Sequence, residues 1–173
     1  IGDNNTDKYF VGEDALPDVT SGLSFSFRHK NWMATASLYG QFGFSVYNNT
    51  ANATFNAGQL AAGGNVTQNV LTSGENPSSS ADVSTRFLQR GDFVRLQNAS
   101  IGYQIPLPDT KTIKSLLLNM TGQNLFLITG YSGLDPEVNT DGANFLNGIP
   151  TAGMDYMAYP RPRVITFGVI AKF

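Results

Sequence analysis

The sequence has 173 residues, of which 14% are charged and 12% aromatic, with 18 glycines and a net charge of −2. This near-neutral balance gives no basic surface for nucleic acid, and the lack of cysteine excludes disulfides and thiolate metal sites. Few charges and many aromatic, Gly, Asn, Ser and Thr residues are typical of an all-β chain with long loops.

The sequence predicts neither a signal peptide nor a membrane-spanning helix. The longest apolar runs fall well short of the roughly 18–20 residues that a transmembrane helix needs. The chain begins at Ile1 in what resembles the middle of a loop, and it shows no signal peptide. If the protein is exported, we expect further sequence ahead of Ile1.

The first predicted elements form a hairpin. Residues 1–18 are rich in Gly, Asn, Asp and Pro and predict a loop. From Val19, apolar and polar residues alternate and predict a strand, which a short polar stretch at 29–31 ends. A second alternating run starts at Trp32 and continues for about fifteen residues, against about five or six in a usual strand.

The spacing of aromatic residues on this second strand predicts a membrane environment. Trp32 and Phe42 stand ten residues apart on one face, which at about 3.3 Å per residue and a tilt of about 45° separates them by roughly 23 Å along the membrane normal. The apolar band of an outer-membrane barrel is about 25 Å tall, with an aromatic girdle at each rim. The spacing therefore favours a membrane-spanning strand.

The middle of the chain predicts a long loop and then a third strand. Residues 47–90 form a loop biased toward Asn, Ala, Gly and Ser, with a short helix possible at 57–71. The third strand spans 92–105, but Val94 and Leu96 are apolar on its polar parity. A β-bulge, or a strand end above the bilayer, would explain this break, and the pattern does not decide between them.

The last third predicts two more strands. After a turn at 106–114, alternation from Leu116 to Leu127 predicts the fourth strand, and 129–163 form a second long loop. In the final strand, Ile165, Phe167, Val169, Ala171 and Phe173 give one wholly apolar face. A soluble protein would usually protect such an edge, whereas a barrel pairs it, so we predict a barrel's closing strand.

The connections alternate in length along the chain: tight, long, short, long. Antiparallel strands turn alternately at the two ends of a sheet, so both long loops are expected at one end. Outer-membrane barrels have short periplasmic turns and long extracellular loops. Because such barrels have at least about eight strands, five strands predict part of a larger barrel or a different, self-contained β fold.

Four motifs carry a resemblance to a known family. They are GDFVRLQNASIGY at 91–103, TGQNLF at 121–126, YSGLDPEV at 131–138 and YPRPR at 159–163. In order and spacing the chain resembles the C-terminal end of a SusC/RagA-type TonB-linked outer-membrane transporter. The resemblance implies that 1–173 form a C-terminal barrel segment of a bacterial outer-membrane protein, with five antiparallel strands and two extracellular loops.

The resemblance also implies a function and a set of partners. Members of the family form large plugged barrels, for which 22 strands is the expected count. They import glycan or peptide fragments with a SusD-like surface lipoprotein, driven by the TonB complex acting on the plug. The partners implied here are the rest of the barrel and plug, the lipid bilayer, the lipoprotein and an oligosaccharide or peptide substrate. No cofactor, metal or enzymatic activity is expected.

Two sets of residues are predicted to have roles in such a barrel. The barrel-assembly signal would comprise Phe167, Val169 and Phe173, although Ala171 stands where a larger residue is usual. Polar residues at alternate strand positions are predicted to face the lumen: Ser37, Gln41, Ser100, Gln104, Asn119, Thr121 and Gln123. Substrate contact is expected chiefly from the loops at 47–90 and 129–159, because binding surfaces concentrate on loops.

Other candidate sites are weaker. Asp135, Glu137, Asn139 and Asp141 alternate as oxygen ligands do, but no acidic residue closes an EF-hand, so a solvated loop is favoured over calcium. His29 lies in a turn, and a single histidine builds no catalytic triad. Two other classes of protein stay open: a soluble β-sandwich binding or adhesin module, and a passive porin.

Overall fold

A computed structural model describes residues 9–74, 76, 82–108, 112–140 and 151–173. The chain divides into two compact units. The sheet unit comprises Asp18–Phe42, Asp92–Gly130 and Pro160–Phe173, and the loop unit comprises the described residues of Ile1–Pro17, Gly43–Gly91 and Tyr131–Tyr159.

The elements are almost all strands. In chain order the strands are β1 (Val19–His29), β2 (Trp32–Phe42), β3 (Ser45–Asn48), β4 (Leu88–Arg90), β5 (Phe93–Ile105), β6 (Ser115–Thr129), β7 (Asn139–Thr140), β8 (Thr151–Ala152), β9 (Met154–Asp155) and β10 (Val164–Lys172). One short helix, α1 (Asn49–Thr54), lies among the described residues with three 3₁₀ turns. The prediction of an all-β chain is confirmed.

The sheet unit is one antiparallel sheet of five strands in the order β1-β2-β5-β6-β10. Its strands are 9 to 15 residues long. A two-residue turn with Lys30 at φ 51° joins β1 to β2, and a short connection joins β5 to β6. The other two connections are long and lie at the opposite end of the strands, so the predicted alternation of turn lengths is confirmed.

Residues paired directly across antiparallel strands point to the same face, so the register assigns each paired strand residue to one of two faces. The apolar face includes a row that crosses all five strands: Phe27, Ala34, Ile101, Met120 and Phe167. The polar face includes the neighbouring row: Ser26, Thr35, Ser100, Thr121 and Thr166. Phe27 is 62% and Phe167 77% exposed, so this chain leaves the apolar face uncovered.

A β-bulge explains the broken alternation of the third strand. The pairing of β2 with β5 shifts between Ser37 and Leu38, so Gln97 is an extra residue in β5. An extra residue reverses the parity of a strand. Val94 and Leu96 therefore return to the apolar face, opposite Gly40 and Leu38, and the bulge is the correct one of the two explanations.

The second strand is shorter than predicted. It ends at Phe42 because Gly43, at φ 83°, turns the chain out of the sheet. Phe44 and Val46 continue the apolar parity, but they belong to the loop unit, where they are 4% and 0% exposed. Their apolar character thus reflects burial in a core and not a continuation of β2.

The residues predicted as long loops form a folded unit. In it β3 pairs antiparallel with β4 and parallel with β9. Phe55, Val70 and Phe87 form a small buried core, and Tyr47, Ala51, Ala57 and Val66 pack against it. The short helix that the sequence left possible at 57–71 is replaced by 3₁₀ turns at Ala57–Leu60 and Gln68–Thr72, and α1 precedes them.

The side chain of Asn48 fixes where α1 begins. Its Oδ1 accepts a hydrogen bond of 2.8 Å from the backbone N–H of Ala51, which satisfies one of the N–H groups that a helix leaves unpaired at its start. In the described part of the chain, no helix combines the length and the apolar character that crossing a membrane requires.

Candidate functional site

The polar face of the sheet unit holds every residue predicted to face a lumen. The register places these seven on one face, opposite the apolar rows: Ser37, Gln41, Ser100, Gln104, Asn119, Thr121 and Gln123. Hydroxyl groups also join neighbouring strands there, since Thr35 Oγ1 lies 2.7 Å from Ser100 Oγ and Ser24 Oγ lies 3.1 Å from Ser37 Oγ. That this face lines a lumen remains a prediction.

The charged residues of the five strands lie on the polar face. Its five strands contain no Asp or Glu, and their Arg and Lys residues, Arg28, Arg95 and Lys172, all lie on that face. The apolar face has no charged Arg, Lys, Asp or Glu within the described strands. This segregation is what a sheet between hydrocarbon and water requires.

A buried arginine links two strands of the sheet to the segment that precedes β10. Arg95 is 2% exposed, and its Nη1 donates a 2.6 Å hydrogen bond to Oδ1 of Asn124. The Nδ2 group of Asn124 in turn donates to the carbonyl oxygens of Arg161, at 2.6 Å, and Pro162, at 3.3 Å. Asn124 has φ 53°, a left-handed conformation that Asn tolerates better than most residues.

This Arg95–Asn124 link, comprising Arg95, Asn124 and the two carbonyl groups, joins three of the four sequence motifs. Arg95 lies in the first motif, Asn124 in the second, and Arg161 and Pro162 in the fourth. It sits at the bulge, where Asn124 and Leu125 of β6 face the extra Gln97 of β5. These three motifs are therefore joined by hydrogen bonds, and together they fix the position at which the chain enters β10.

Two adjoining clefts lie in the loop unit. The polar cleft has a volume of about 430 Å³ and is lined mainly by Asn69, Ser73, Arg86, Gln89 and the edges of Phe55 and Phe87. The apolar cleft has a volume of about 350 Å³ and is lined chiefly by Leu134, Met157, Ala158 and Tyr159. They share a wall made by Asn48, Ala51, Thr67 and Ser132. Both volumes lie in the range of ligand pockets, about 300–1,000 Å³.

A buried carboxylate holds the wall of the apolar cleft. Asp155 is 5% exposed, and its Oδ2 accepts a 2.7 Å hydrogen bond from the Tyr131 hydroxyl. Thr50 Oγ1 accepts a hydrogen bond of 2.7 Å from Met157 N, whose residue has φ 51°. Burial first, and then the hydrogen bond and charge of Asp155, raise the pKa of Tyr131, so its hydroxyl stays a donor.

The described part of the second long loop gives no support for calcium. Asp135 is 2% exposed, and its Oδ1 accepts a 3.0 Å hydrogen bond from the N–H of Glu137, as in an Asx turn. Asp141 lies outside the described residues. Within the described ranges, no three His, Cys, Asp or Glu side chains are grouped so that they could hold a metal ion.

The sequence pattern did not single out Arg95, Asn124 or the clefts. The signal for Arg95 was available, because an arginine among apolar strand residues needs a buried partner. The signal for Asn124 is weaker, since a strand gives no reason to expect a left-handed residue. The sequence contains no signal for the clefts, because their lining residues are scattered between 48 and 159 and follow no periodic pattern.

Comparison with known proteins gives several relatives but no match to a family profile. TonB-dependent receptor P3 of Formosa agariphila is 29% identical over 98% of this chain and 18% of its own length. TonB-dependent receptor SusC of Bacteroides thetaiotaomicron is 30% identical over 96% of this chain and 16% of its own. The chain thus spans less than a fifth of these relatives.

Solved structures support the fold. The structure of the RagAB peptide transporter matches with a TM-score of 0.72 and 22% identity, over 93% of this chain and 18% of that one. The RagAB peptide importer in the open-open state matches with a TM-score of 0.70 and 20% identity over 100% of this chain. The prediction of strands from a large outer-membrane barrel is confirmed at the level of the fold.

Proposed function

Since the chain belongs to the SusC/RagA-type family of TonB-dependent receptors of the outer membrane, we propose that it is part of an importer. In this proposal the sheet unit is a section of the barrel wall. The loop unit is extracellular and contacts the substrate. The substrate is a glycan or peptide fragment, delivered with a SusD-like lipoprotein and taken up with energy from the TonB complex.

The observation that carries the proposal is the division of the sheet into two faces. Large side chains such as Phe25, Ile165 and Phe167 are more than half exposed on the apolar face. A soluble β-sandwich would cover that face with a second sheet, whereas a lipid bilayer covers it directly. The polar face, with its hydroxyl, amide and cationic groups, suits a hydrated lumen, as the interior of such barrels is polar.

An aromatic row supports the same orientation. On the apolar face, His29, Trp32 and Tyr103 lie side by side at the end of the sheet that has the short turns. The ring centroids of Trp32 and Tyr103 are 4.6 Å apart. Aromatic residues concentrate at the interfaces of membrane barrels. In our proposal this end of the sheet faces the periplasm, and Phe42 lies near the extracellular rim. The assembly signal of Phe167, Val169 and Phe173 remains part of the proposal.

The proposal is tested by uptake in cells. Cells that produce the full-length receptor are compared with cells that lack it, and loss of peptides and oligosaccharides from the medium is measured with and without a proton uncoupler. Receptor-dependent uptake that the uncoupler abolishes is the expected result. Uptake that continues after uncoupling would favour a passive porin, and equal uptake without the receptor would contradict import by this protein.

A further inference from the structure

Positive charge collects at the end of the sheet that has the short turns. Four cations lie there: Arg28 near the end of β1, Lys30 in the β1–β2 turn, Lys114 just before β6, and Lys172 at the end of β10. All four residues are exposed, and none forms an ion pair with a residue that the structure describes. Together these four residues form the basic rim.

Among the described residues, no Asp or Glu lies at this end of the sheet. The described acidic residues of the sheet unit are Asp18 and Asp92, which directly precede β1 and β5 and so lie at the other end of the strands. The stretch 109–111 is outside the described residues, and its sequence adds one acid, Asp109, and one cation, Lys111. The excess of positive charge at the short turns is therefore not balanced from within the sheet unit.

Two of the lysines are held side by side. The N–H group of Lys114 donates a 2.7 Å hydrogen bond to the carbonyl oxygen of Lys172, which joins the two backbones. Like charges on neighbouring strands repel each other and are destabilising. An anion bound at this place would relieve the repulsion, and the oxygens of a phosphate suit ammonium donors.

The basic rim lies just beyond the aromatic row. Lys30 lies two residues beyond Trp32, and Lys114 lies four residues beyond Leu118, which pairs with Tyr103 in the row of Trp32. Strands of a barrel are tilted by about 35–45°, so a line at one depth shifts by about one residue per strand. The pairs show this shift, since β1 and β2 separate at the aromatic row whereas β5 and β6 stay paired two residues further. Both lysines therefore lie roughly 5 Å beyond the aromatic girdle.

This depth is that of the lipid headgroups. Headgroups occupy about 5–8 Å on each side of the hydrocarbon core, and Trp and Tyr rings mark the boundary. Lysine side chains near such a boundary keep their alkyl stems against apolar surface and extend the ammonium group into the polar layer. Lys30 and Lys114 are thus placed to meet lipid phosphates. Arg28 and Lys172, at or next to strand ends on the polar face, add to the positive potential there.

We infer that the basic rim binds acidic phospholipids, whose headgroups carry a net negative charge, in preference to zwitterionic ones. One headgroup phosphate is held by Lys30 beside β1, and another by Lys114 beside β10. This inference rests on the proposed function, because it needs the apolar face to lie in lipid. It adds to that function a lipid partner selected by charge at the periplasmic end of the barrel wall.

The test measures which lipid lies next to the basic rim of the full-length receptor in vesicles. A bimane fluorophore is attached to a single cysteine in Phe27→Cys or Ala171→Cys, both on the apolar face near the basic rim, with any cysteine elsewhere replaced. A third reporter, Val19→Cys, lies next to Asp18 at the other end of β1. Quenching by brominated phosphatidylglycerol, which is acidic, is compared with quenching by brominated phosphatidylcholine, which is zwitterionic, at equal mole fraction.

Each lysine variant is the matched control for the other. Lys30→Gln acts near the Phe27 reporter and Lys114→Gln near the Ala171 reporter, and each lysine is about three strands, or about 14 Å, from the other reporter. That distance exceeds the Debye length of about 10 Å at about 0.1 M salt, so the effects should stay local. Lys30→Arg and Lys114→Arg change the side chain and keep its charge.

We expect the acidic lipid to be favoured about threefold or more at Phe27 and Ala171, and not at Val19. Each glutamine variant should lower the preference about twofold or more at its own reporter and leave the other reporter unchanged. The arginine variants should retain the preference. High salt should weaken it at both reporters, because the attraction is electrostatic.

Three outcomes would overturn the inference: equal quenching by the two lipids at Phe27 and Ala171, the same preference for acidic lipid at Val19, or a preference that neither glutamine variant lowers. Each of these leaves the sheet in lipid and the proposed function intact. Failure of the proposed function has a different signature. In that case neither brominated lipid quenches any of the three reporters, because the apolar face does not contact acyl chains.

Discussion

Phe25→Arg is expected to lower the stability of the full-length receptor in the membrane by about 2–4 kcal/mol, while Ser26→Arg leaves it close to normal. The two residues are neighbours on β1, but Phe25 points to the apolar face and Ser26 to the polar face. Phe25 is 54% exposed and lies near the middle of the strand, between Trp32 and Phe42 of the paired β2. Arginine on the lipid face at that depth costs about 2–4 kcal/mol.

The two variants are compared by urea unfolding in phospholipid vesicles and by the folded fraction that migrates faster on unheated gels. Ser26→Arg changes the stability by no more than about 1 kcal/mol, because a charged side chain on a hydrated lumen face keeps its water. Equal losses for both variants would contradict the assignment of the faces. A larger loss of stability for Ser26→Arg than for Phe25→Arg would show that the two faces are assigned the wrong way round.

Asn124→Val is expected to destabilise the receptor by about 2–4 kcal/mol, because it removes three hydrogen bonds and forces a β-branched residue into a left-handed conformation. It also deprives the buried Arg95 of the carboxamide that receives its charge-assisted hydrogen bond. Asn124→Gly keeps the φ of 53° accessible and loses only the side-chain bonds, so about half of that loss is expected.

Asn119→Val is the matched control for this pair. It changes the same residue type on the same strand, away from the Arg95–Asn124 link. Its effect should stay within about 1 kcal/mol. Proteolysis should also cut the segment before β10 faster in Asn124→Val than in the control, because the carbonyls of Arg161 and Pro162 lose their donor. Identical unfolding curves for both valine variants would exclude the proposed role of Asn124.

The five strands and their faces were predictable because the alternation of side chains is a local property of the sequence. All seven polar residues expected to share a face do so, since β2 and the stretches 98–105 of β5 and 115–123 of β6 keep a strict period of two. The bulge at Gln97 could be suspected but not placed. Its position depends on the register with β2, which the sequence of β5 alone does not contain.

The loop unit could not be predicted for a different reason. Its core joins Phe55, Val70 and Phe87, which come from separate turns, and its small sheet pairs β3 with the distant β9. Such contacts leave no period in the sequence. The bias toward Asn, Gly and Ser, which predicted a loop, reflects tight turns and a small core and not an absence of structure.

The most direct test of the central claim measures where the side chains of the sheet point in a membrane. Spin labels are attached to single cysteines introduced into this chain, which has none of its own, in the full-length receptor in vesicles with any cysteine elsewhere replaced. Three adjacent pairs are compared: Ile101 and Ser100, Met120 and Thr121, and Phe167 and Thr166. Oxygen concentrates in lipid, and a nickel chelate stays in water.

The account predicts that the labels at Ile101, Met120 and Phe167 are reached by oxygen and not by the chelate. It also predicts that the labels at Ser100, Thr121 and Thr166 show the reverse preference. The account would be contradicted by the same accessibility within each pair, or by high chelate accessibility at Ile101 and Met120. The sheet would then not be a section of an outer-membrane barrel wall with its apolar face in lipid.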